Sequence, residues 1–138
     1  MTELFHDFPW LPTLLGGLGY FMLGAIWYSK ILFAPKWIQL TGIKVDDPNA
    51  KKGMLILMLL SVVVMFISSI GIAILADRLE LHGWMSGLKL GALTGGFGAA
   101  AICISYLYEK RPLGLHLING LYTILGNCIA GVIICMMN

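Results

Sequence analysis

The segment EKRPLGLHLING, from Glu109 to Gly120, places three charges and a proline between two long apolar stretches. The planar fork of Arg111 suits a phosphate or a carboxylate, and His116 and Asn119 follow within the next eight residues. This chemistry predicts a site for an anionic lipid head group or a small anion. The alternative is a Glu109–Arg111 pair that closes a tight turn, with His116 and Asn119 capping neighbouring groups. Membrane interfaces are naturally rich in these residue types, which favours the alternative.

Other kinds of chemistry have weaker support in the sequence. Covalent catalysis needs a nucleophile beside a base, and the serines of the apolar stretch around residues 54–76 have no such partner in the sequence. The chain has neither a GxxxxGK loop nor a CxxCH motif. A soft metal could bind on the outer side if six residues converged there, but no recognised spacing links them. They are His6, Asp7, His82, Cys135, Met136 and Met137. We therefore expect no enzyme activity, no catalytic residue, no metal, no cofactor and no nucleic-acid partner.

The composition indicates a membrane protein. Charged residues make up 12% of the 138 residues, and hydrophobic residues make up 59%. A soluble domain has roughly a quarter charged residues, so lipid must be the solvent for most of this chain. The length allows one domain. The segment MTELFHDF has no lysine or arginine, so we expect the first apolar stretch to remain in the mature protein.

Four apolar stretches are long enough to cross a bilayer, which takes about 20 residues. They are Trp10–Ser29, Met54–Ala76, Trp84–Tyr108 and Leu113–Met137. A backbone in lipid must satisfy its own hydrogen bonds, so these stretches are helices. The predicted fold class is all-α, an integral membrane four-helix bundle made of two helical hairpins.

The longest loop follows the first span and contains a further helix signal. The run APKWIQL has Pro35 at a helix start and predicts a short interfacial helix with Trp37 at head-group depth. Asp47 and Pro48 predict the start of the second long helix. The loop brings more residues to the depth of the 109–120 segment. The candidate binding cluster comprises Trp27, Tyr28, Lys36, Trp37, Glu109, Arg111, His116 and Asn119.

The basic residues predict the direction of insertion. Seven of them lie in the first and third loops, namely Lys30, Lys36, Lys44, Lys51, Lys52, Lys110 and Arg111. The opposite side has Arg78, with Lys89 inside the third span. Basic loops stay in the cytoplasm, so we expect a multi-pass protein of the bacterial inner (plasma) membrane with both termini outside the cytoplasm. Three acidic residues leave the inner loops with a net charge of +4, which would attract anionic lipids.

Small and polar residues recur at every fourth position in the last two spans. The third span has Gly87, Gly91, Gly95, Ala99 and Cys103, and Gly96 and Gly98 are expected to widen the groove that they form. The fourth span has a polar stripe of Asn119, Thr123, Asn127, Gly131 and Cys135. Asparagine in hydrocarbon needs a partner. The polar stripe therefore either packs against other helices or lines a wetted path.

Two segments resemble the signature segments of a known family. LGAIWYSKILFAPKWIQLTG (Leu23–Gly42) and YLYEKRPLGLHLINGLY (Tyr106–Tyr122) look like those of a family of small four-helix membrane proteins, domain of unknown function 1761. The resemblance implies the four-helix layout and no particular activity. Family members often have a histidine directly after the aromatic residue that matches Tyr122, and this chain has Thr123 there.

Two functional hypotheses follow. The first is a structural or accessory protein that forms homo-oligomers, has the bilayer as its partner and binds anionic lipid at its basic inner face. The second is an oligomeric transporter or channel for a small solute or ion, with a polar path along Thr123 and Asn127. One copy has too few helices to enclose a path, so the second hypothesis also requires an oligomer.

The charge bias makes the topology testable. Single cysteines placed at residue 2 and at residue 138 of a variant that lacks the three native cysteines should react with a membrane-impermeant maleimide added to intact cells. A cysteine in the loop after Lys44 should react after the cells are opened. Labelling of either terminus from the cytoplasmic side alone would contradict the predicted direction.

Overall fold

The computed structural model describes residues 5–29, 31–42 and 50–137, which form helices without any strand. The helices in chain order are α1 (Trp10–Trp27), α2 (Ala34–Thr41), α3 (Ala50–Arg78), α4 (Trp84–Tyr108) and α5 (Leu113–Met137). Four of these helices are long and apolar enough to cross a membrane, the span of α3 being Leu55–Arg78. The predicted all-α fold class is confirmed.

Helix α1 ends at Trp27, two residues before the end of the predicted span. The Ser29 hydroxyl donates to the carbonyl oxygen of Ile26 at 2.6 Å. The chain then folds back, and the Phe33 amide donates to the carbonyl oxygen of Trp27 at 3.1 Å. These bonds satisfy carbonyl groups that a helix end leaves without partners. The predicted helix start at Asp47 and Pro48 lies outside the described residues.

The short helix predicted in the first loop is present as α2. Pro35 lies in its first turn, where a missing amide hydrogen does no harm. Gly42 ends the helix with φ +69°, a left-handed conformation that favours glycine. The Trp37 ring packs on Tyr28 with ring centroids 5.8 Å apart, and Leu40 packs against Gly114 of α5. Helix α2 therefore lies against the ends of α1 and α5, and its depth in the membrane remains a prediction.

Helix α5 is the centre of the bundle. It contacts α4 along its length, and α1 and α3 contact its other sides. Glycines allow the close approach of α4: a side-chain carbon added at Gly87, Gly91 or Gly95 would collide with backbone atoms of α5. The predicted small-residue stripe on α4 thus packs against α5. Gly98 faces the Thr123 side chain, but Gly96 has no neighbour within 4 Å among the described residues. The expectation that Gly96 widens the groove is therefore wrong.

The contacts of α1 also depend on glycine. The Tyr20 ring of α1 lies over Gly126 of α5, and the Tyr122 hydroxyl of α5 lies over Gly24 of α1. Farther from the loop that contains α2, the buried Ser69 hydroxyl of α3 donates to the carbonyl oxygen of Thr13 at 2.6 Å. Because apolar faces gain little by association in lipid, such close packing and hydrogen bonds hold the helices together.

The contrast between two glycines tests the importance of the α4–α5 contact. Gly91→Ala should destabilise the protein by about 1–3 kcal/mol, because backbone atoms cannot rotate away from the added carbon. Gly71→Ala is the control, since Gly71 is exposed on α3 with nothing within 4 Å among the described residues. Thermal unfolding in detergent, followed by tryptophan fluorescence, should show a lowered midpoint for Gly91→Ala alone. Equal midpoints would contradict the packing described.

Candidate functional site

Trp27 joins the end of α1 to α5. Its indole Nε1 donates to the carbonyl oxygen of Ile118 at 3.0 Å, and both residues are buried. The carbonyl of a helical residue has two lone pairs, so Ile118 can accept this bond in addition to the helical one. The indole ring packs on Phe33 with ring centroids 4.6 Å apart. The indole is thus fixed on both its polar and its apolar sides.

Asn119 links three parts of the chain through its side-chain amide. The Tyr28 hydroxyl donates to Asn119 Oδ1 at 2.5 Å, and Asn119 Nδ2 donates to the Tyr106 hydroxyl at 2.7 Å. Tyr28 follows the last residue of α1, Tyr106 lies in α4 and Asn119 lies in α5. Tyr28 lies outside the α1 span, and burial raises the pKa of its phenol above the ordinary value. Its hydroxyl therefore keeps the proton that it donates to the amide.

His116 belongs to the same assembly through Tyr106. The two rings meet edge to face with centroids 5.4 Å apart, and His116 is 9% exposed. His116 precedes Asn119 by three residues, which places both side chains on one side of α5. We call Trp27, Tyr28, Tyr106, His116 and Asn119 the Asn119 cluster. The predicted capping role of Asn119 is not what the structure has, because its amide bonds to two tyrosine hydroxyls.

The charged residues of the predicted set lie outside the Asn119 cluster. Arg111 Nε bonds to Glu109 Oε2 at 3.1 Å across the α4–α5 turn, with side chains 46% and 54% exposed. An exposed pair of this kind contributes at most about 1 kcal/mol. Lys36 is exposed on α2. Five residues of the predicted set are therefore linked to one another, directly or through a neighbour that they share: Trp27, Tyr28, Trp37, His116 and Asn119. The other three, Lys36, Glu109 and Arg111, lie at the surface.

Sequence reasoning missed the tyrosines that complete this region. Tyr106 accepts the hydrogen bond from Asn119, and Tyr122 packs against both Tyr28 and Tyr20, with ring centroids 5.1 and 5.3 Å apart. The signal that could have found Tyr106 is its spacing from the turn. In a tight antiparallel hairpin the residues at similar distances from the turn face each other, and Tyr106 and Asn119 both lie within two turns of it.

The polar stripe of α5 packs against α4. Asn127 is 8% exposed, and its Nδ2 donates to the carbonyl oxygen of Thr123 at 2.7 Å. Its Oδ1 lies 3.3 Å from the Thr94 hydroxyl of α4, whose single proton has a nearer acceptor in the carbonyl oxygen of Leu90 at 2.9 Å. The Thr123 hydroxyl donates to the carbonyl oxygen of Asn119 at 2.9 Å. Within the described residues, no buried side-chain nitrogen or oxygen lacks a hydrogen-bond partner. These contacts favour packing over a wetted path.

The residues considered for a soft metal include the neighbours His6 and Asp7. His6 Nδ1 lies 3.2 Å from Asp7 Oδ2, and both side chains are exposed. Across residues 5–29, 31–42 and 50–137, no three histidine, cysteine, aspartate or glutamate residues converge on a point that could hold a metal ion.

Three apolar helices packed around a fourth, α5, define a multi-pass helical membrane protein. The family model for the protein of unknown function DUF1761 matches residues 11–135. The chain therefore belongs to that family, and the resemblance noted in the two signature segments is confirmed. The match includes every residue of the Asn119 cluster. No curated protein and no solved structure matches the chain.

The Asn119 amide makes a specific prediction about stability. Asn119→Leu leaves the Tyr28 and Tyr106 hydroxyls without their shared partner, and should destabilise the protein by about 0.6–1.7 kcal/mol, the usual range for polar contacts between membrane helices. Tyr106→Phe should give a smaller loss, and combining the two should add little, because they remove the same bond. The measurement is the thermal midpoint in detergent.

Tyr108→Phe is the matched control for Tyr106→Phe. Tyr108 is two residues away on the same helix and 88% exposed, so the loss of its hydroxyl should leave the midpoint unchanged. Additive losses from Asn119→Leu and Tyr106→Phe, or equal losses from the two tyrosine variants, would count against the hydrogen-bond chain.

Proposed function

We propose that this protein is a structural or accessory component of the bacterial inner membrane, which assembles as a homo-oligomer and binds anionic lipid at its basic inner end. The observation that supports this function best is that the polar stripe forms hydrogen bonds within the bundle. The amides of Asn119 and Asn127 are engaged with tyrosine, threonine and backbone groups of the same chain. Groups used in this way stabilise the packing of helices.

The alternative, an oligomeric transporter or channel, would need water beside Asn119 and Asn127. Each of these amides already has one hydroxyl of the protein within hydrogen-bond distance of its oxygen and one acceptor for its nitrogen. A polar path along α5 would have to break the contact of Asn127 with Thr94 and the close approach to Gly91. The packed arrangement therefore supports the structural role over transport, and we propose a non-catalytic role for the same residues.

The lipid-binding part of the proposal rests on charge at one end of the molecule. The two segments that join the apolar spans at that end have seven basic and three acidic residues, counting Lys51 and Lys52 at the start of α3. Near an anionic surface each basic residue contributes roughly 1 kcal/mol. Lys36 and Arg111 are exposed, and Trp37 lies beside Lys36 on α2. An indole beside a cation is typical of a membrane interface.

Assembly is supported by a second small-residue stripe on α4. Ala92, Gly96 and Ala100 are spaced by four residues, and the two alanines are exposed. Gly96 has nothing within 4 Å among the described residues. This stripe is separate from the one that packs on α5. In lipid, small residues on an open helix face allow a second backbone to approach closely, and we propose that a second copy does so here.

Variants at Gly96 test the proposed assembly. The purified protein should sediment in mild detergent as a dimer or larger assembly. Gly96→Ile should weaken that assembly by about tenfold or more, equivalent to about 1.4 kcal/mol, because the larger side chain holds the two helices apart. Gly71→Ile, a similar change on α3, should leave the assembly intact. A wild-type protein that is monomeric at every protein-to-detergent ratio would refute the oligomer.

The same preparation separates the two classes of function. Proteoliposomes that contain the wild-type oligomer should pass protons and potassium ions no faster than liposomes without protein. A flux above that background that changes in Asn127→Leu, while the assembly survives, would favour the transport alternative and overturn the structural role.

A further inference from the structure

The first half of α3 stands away from the rest of the bundle. Residues 55–60 are six consecutive large apolar residues, each between 45% and 61% exposed. A helix packed on one side would bury every third or fourth residue, and this stretch buries none. The second half is different: Ser69, Ile72 and Ala73 are buried. Among the described residues, α3 therefore packs against α1 and α5 through its second half.

This separation opens a lateral groove between α3, α1 and α5. Its volume is ≈ 310 Å³, at the lower end of the usual range for ligand sites. The lining residues are Tyr20 of α1, Tyr122 of α5, and Leu57, Leu60, Ser61, Val64, Met65 and Ser68 of α3. We call this space the lateral groove. The Ser61 hydroxyl donates to the carbonyl oxygen of Leu57 at 2.7 Å, so the wall that faces the groove is largely apolar.

The position of the lateral groove restricts what can fill it. All of its lining residues lie in the membrane-spanning helices α1, α3 and α5. The phase that reaches such a groove is hydrocarbon, since water is excluded from that depth. An acyl chain is the part of the surrounding bilayer that matches an apolar, elongated space between helices.

Charge at the end of the groove selects among lipids. The sequence places Lys51 and Lys52 in the first turn of α3, six and five residues before Leu57. At 1.5 Å per residue this is roughly 8–9 Å along the helix axis, so both positions precede the membrane span of α3, which begins at Leu55. The helix N-terminus adds partial positive charge there. The complementary ligand has an apolar chain and a negative head group.

We propose that the lateral groove binds one acyl chain of an anionic phospholipid, whose phosphate lies at the level of Lys51 and Lys52. This inference rests on the lipid-binding part of the proposed function and assigns it a site. The α3 helix forms one wall, and the Tyr20 and Tyr122 rings form the opposite wall. The bound lipid then fills the space between α3 and the rest of the bundle.

The test compares the lipids retained by the purified protein. The protein is extracted in mild detergent, mixed with equal amounts of phosphatidylglycerol and phosphatidylcholine, and examined by native mass spectrometry. The wild type should retain one phosphatidylglycerol per chain in preference to phosphatidylcholine. The double variant Lys51→Gln/Lys52→Gln should reduce that preference by roughly 30-fold, from about 1 kcal/mol per lysine.

A bulky side chain tests the groove itself. Ser61→Phe should fill the lateral groove and reduce the retained phosphatidylglycerol by tenfold or more. Val63→Phe adds a ring two residues away on the same part of α3, outside the groove lining, and should retain lipid as the wild type does. Residues 55–64 have few neighbours, so both variants should keep the wild-type thermal midpoint in detergent, and Ser61→Ala should keep the lipid.

The outcomes separate this inference from the proposed function. Equal retention of the two lipids by the wild type would overturn both. A preference for phosphatidylglycerol that survives Ser61→Phe would overturn the groove site and leave binding at the basic face intact. If Ser61→Phe dissociates the oligomer while the lipid stays bound, the groove holds a second copy of the chain and the inference is wrong.

Discussion

Backbone lies against backbone where α4 meets α5, and the rest of the bundle is arranged around the stiff hairpin that results. In water, burial of apolar surface would bring these helices together, but lipid already solvates that surface. Three glycines on α4 remove the side chains that would keep the axes apart. Dispersion contacts and hydrogen bonds can then act at short range. The helix α5 that emerges from this hairpin presents its other sides to α1 and α3.

The Asn119 cluster uses this hairpin as its support. The α4–α5 turn places Tyr106 and Asn119 side by side, and the chain after α1 supplies Tyr28, which completes the hydrogen-bonded chain of three residues. An asparagine side chain has both an acceptor and a donor, so one amide can join two hydroxyls from different parts of the chain. The second segment of the family signature contributes Tyr106 and Asn119, and the first contributes Trp27 and Tyr28. In this protein the two segments meet at one end of the bundle.

The sequence was informative where a pattern has a direct physical cause. Long apolar runs predicted the spanning helices. The small residues at every fourth position from Gly87 predicted which face of α4 packs against another helix. Gly96 shows the limit of that argument, because spacing identifies small residues but not the neighbour that each one meets. For a similar reason, the residues predicted to form one site do not all lie together in the structure. Lys36 and Arg111 were grouped with Trp27 by depth alone, and depth does not determine which side chains point inward.

The partners of Trp27 and Asn119 also could not be read from the sequence. They depend on α1 lying against α5, and the residues that meet are 91 positions apart in the chain. The position of α3 in the bundle could not be predicted from the sequence either. Its run MLILMLLSVVVMF is apolar on all sides, so it has no periodicity that distinguishes a packed face from a lipid-exposed one. The separation of its first half is therefore a property of the assembled bundle.

The unequal lengths of α1 and α3 have a consequence for the surrounding bilayer. The apolar span has 18 residues in α1 and 24 in α3, or roughly 27 Å and 36 Å at 1.5 Å per residue. A hydrocarbon core of about 30 Å cannot match both lengths with both helices upright. The 25-residue spans of α4 and α5 also exceed this core, so tilt of the longer helices or local thickening of the bilayer takes up the difference. The first half of α3 is exposed while α4 and α5 are closely packed, so we expect a change in membrane thickness to alter the inclination of α3 more than that of the α4–α5 hairpin.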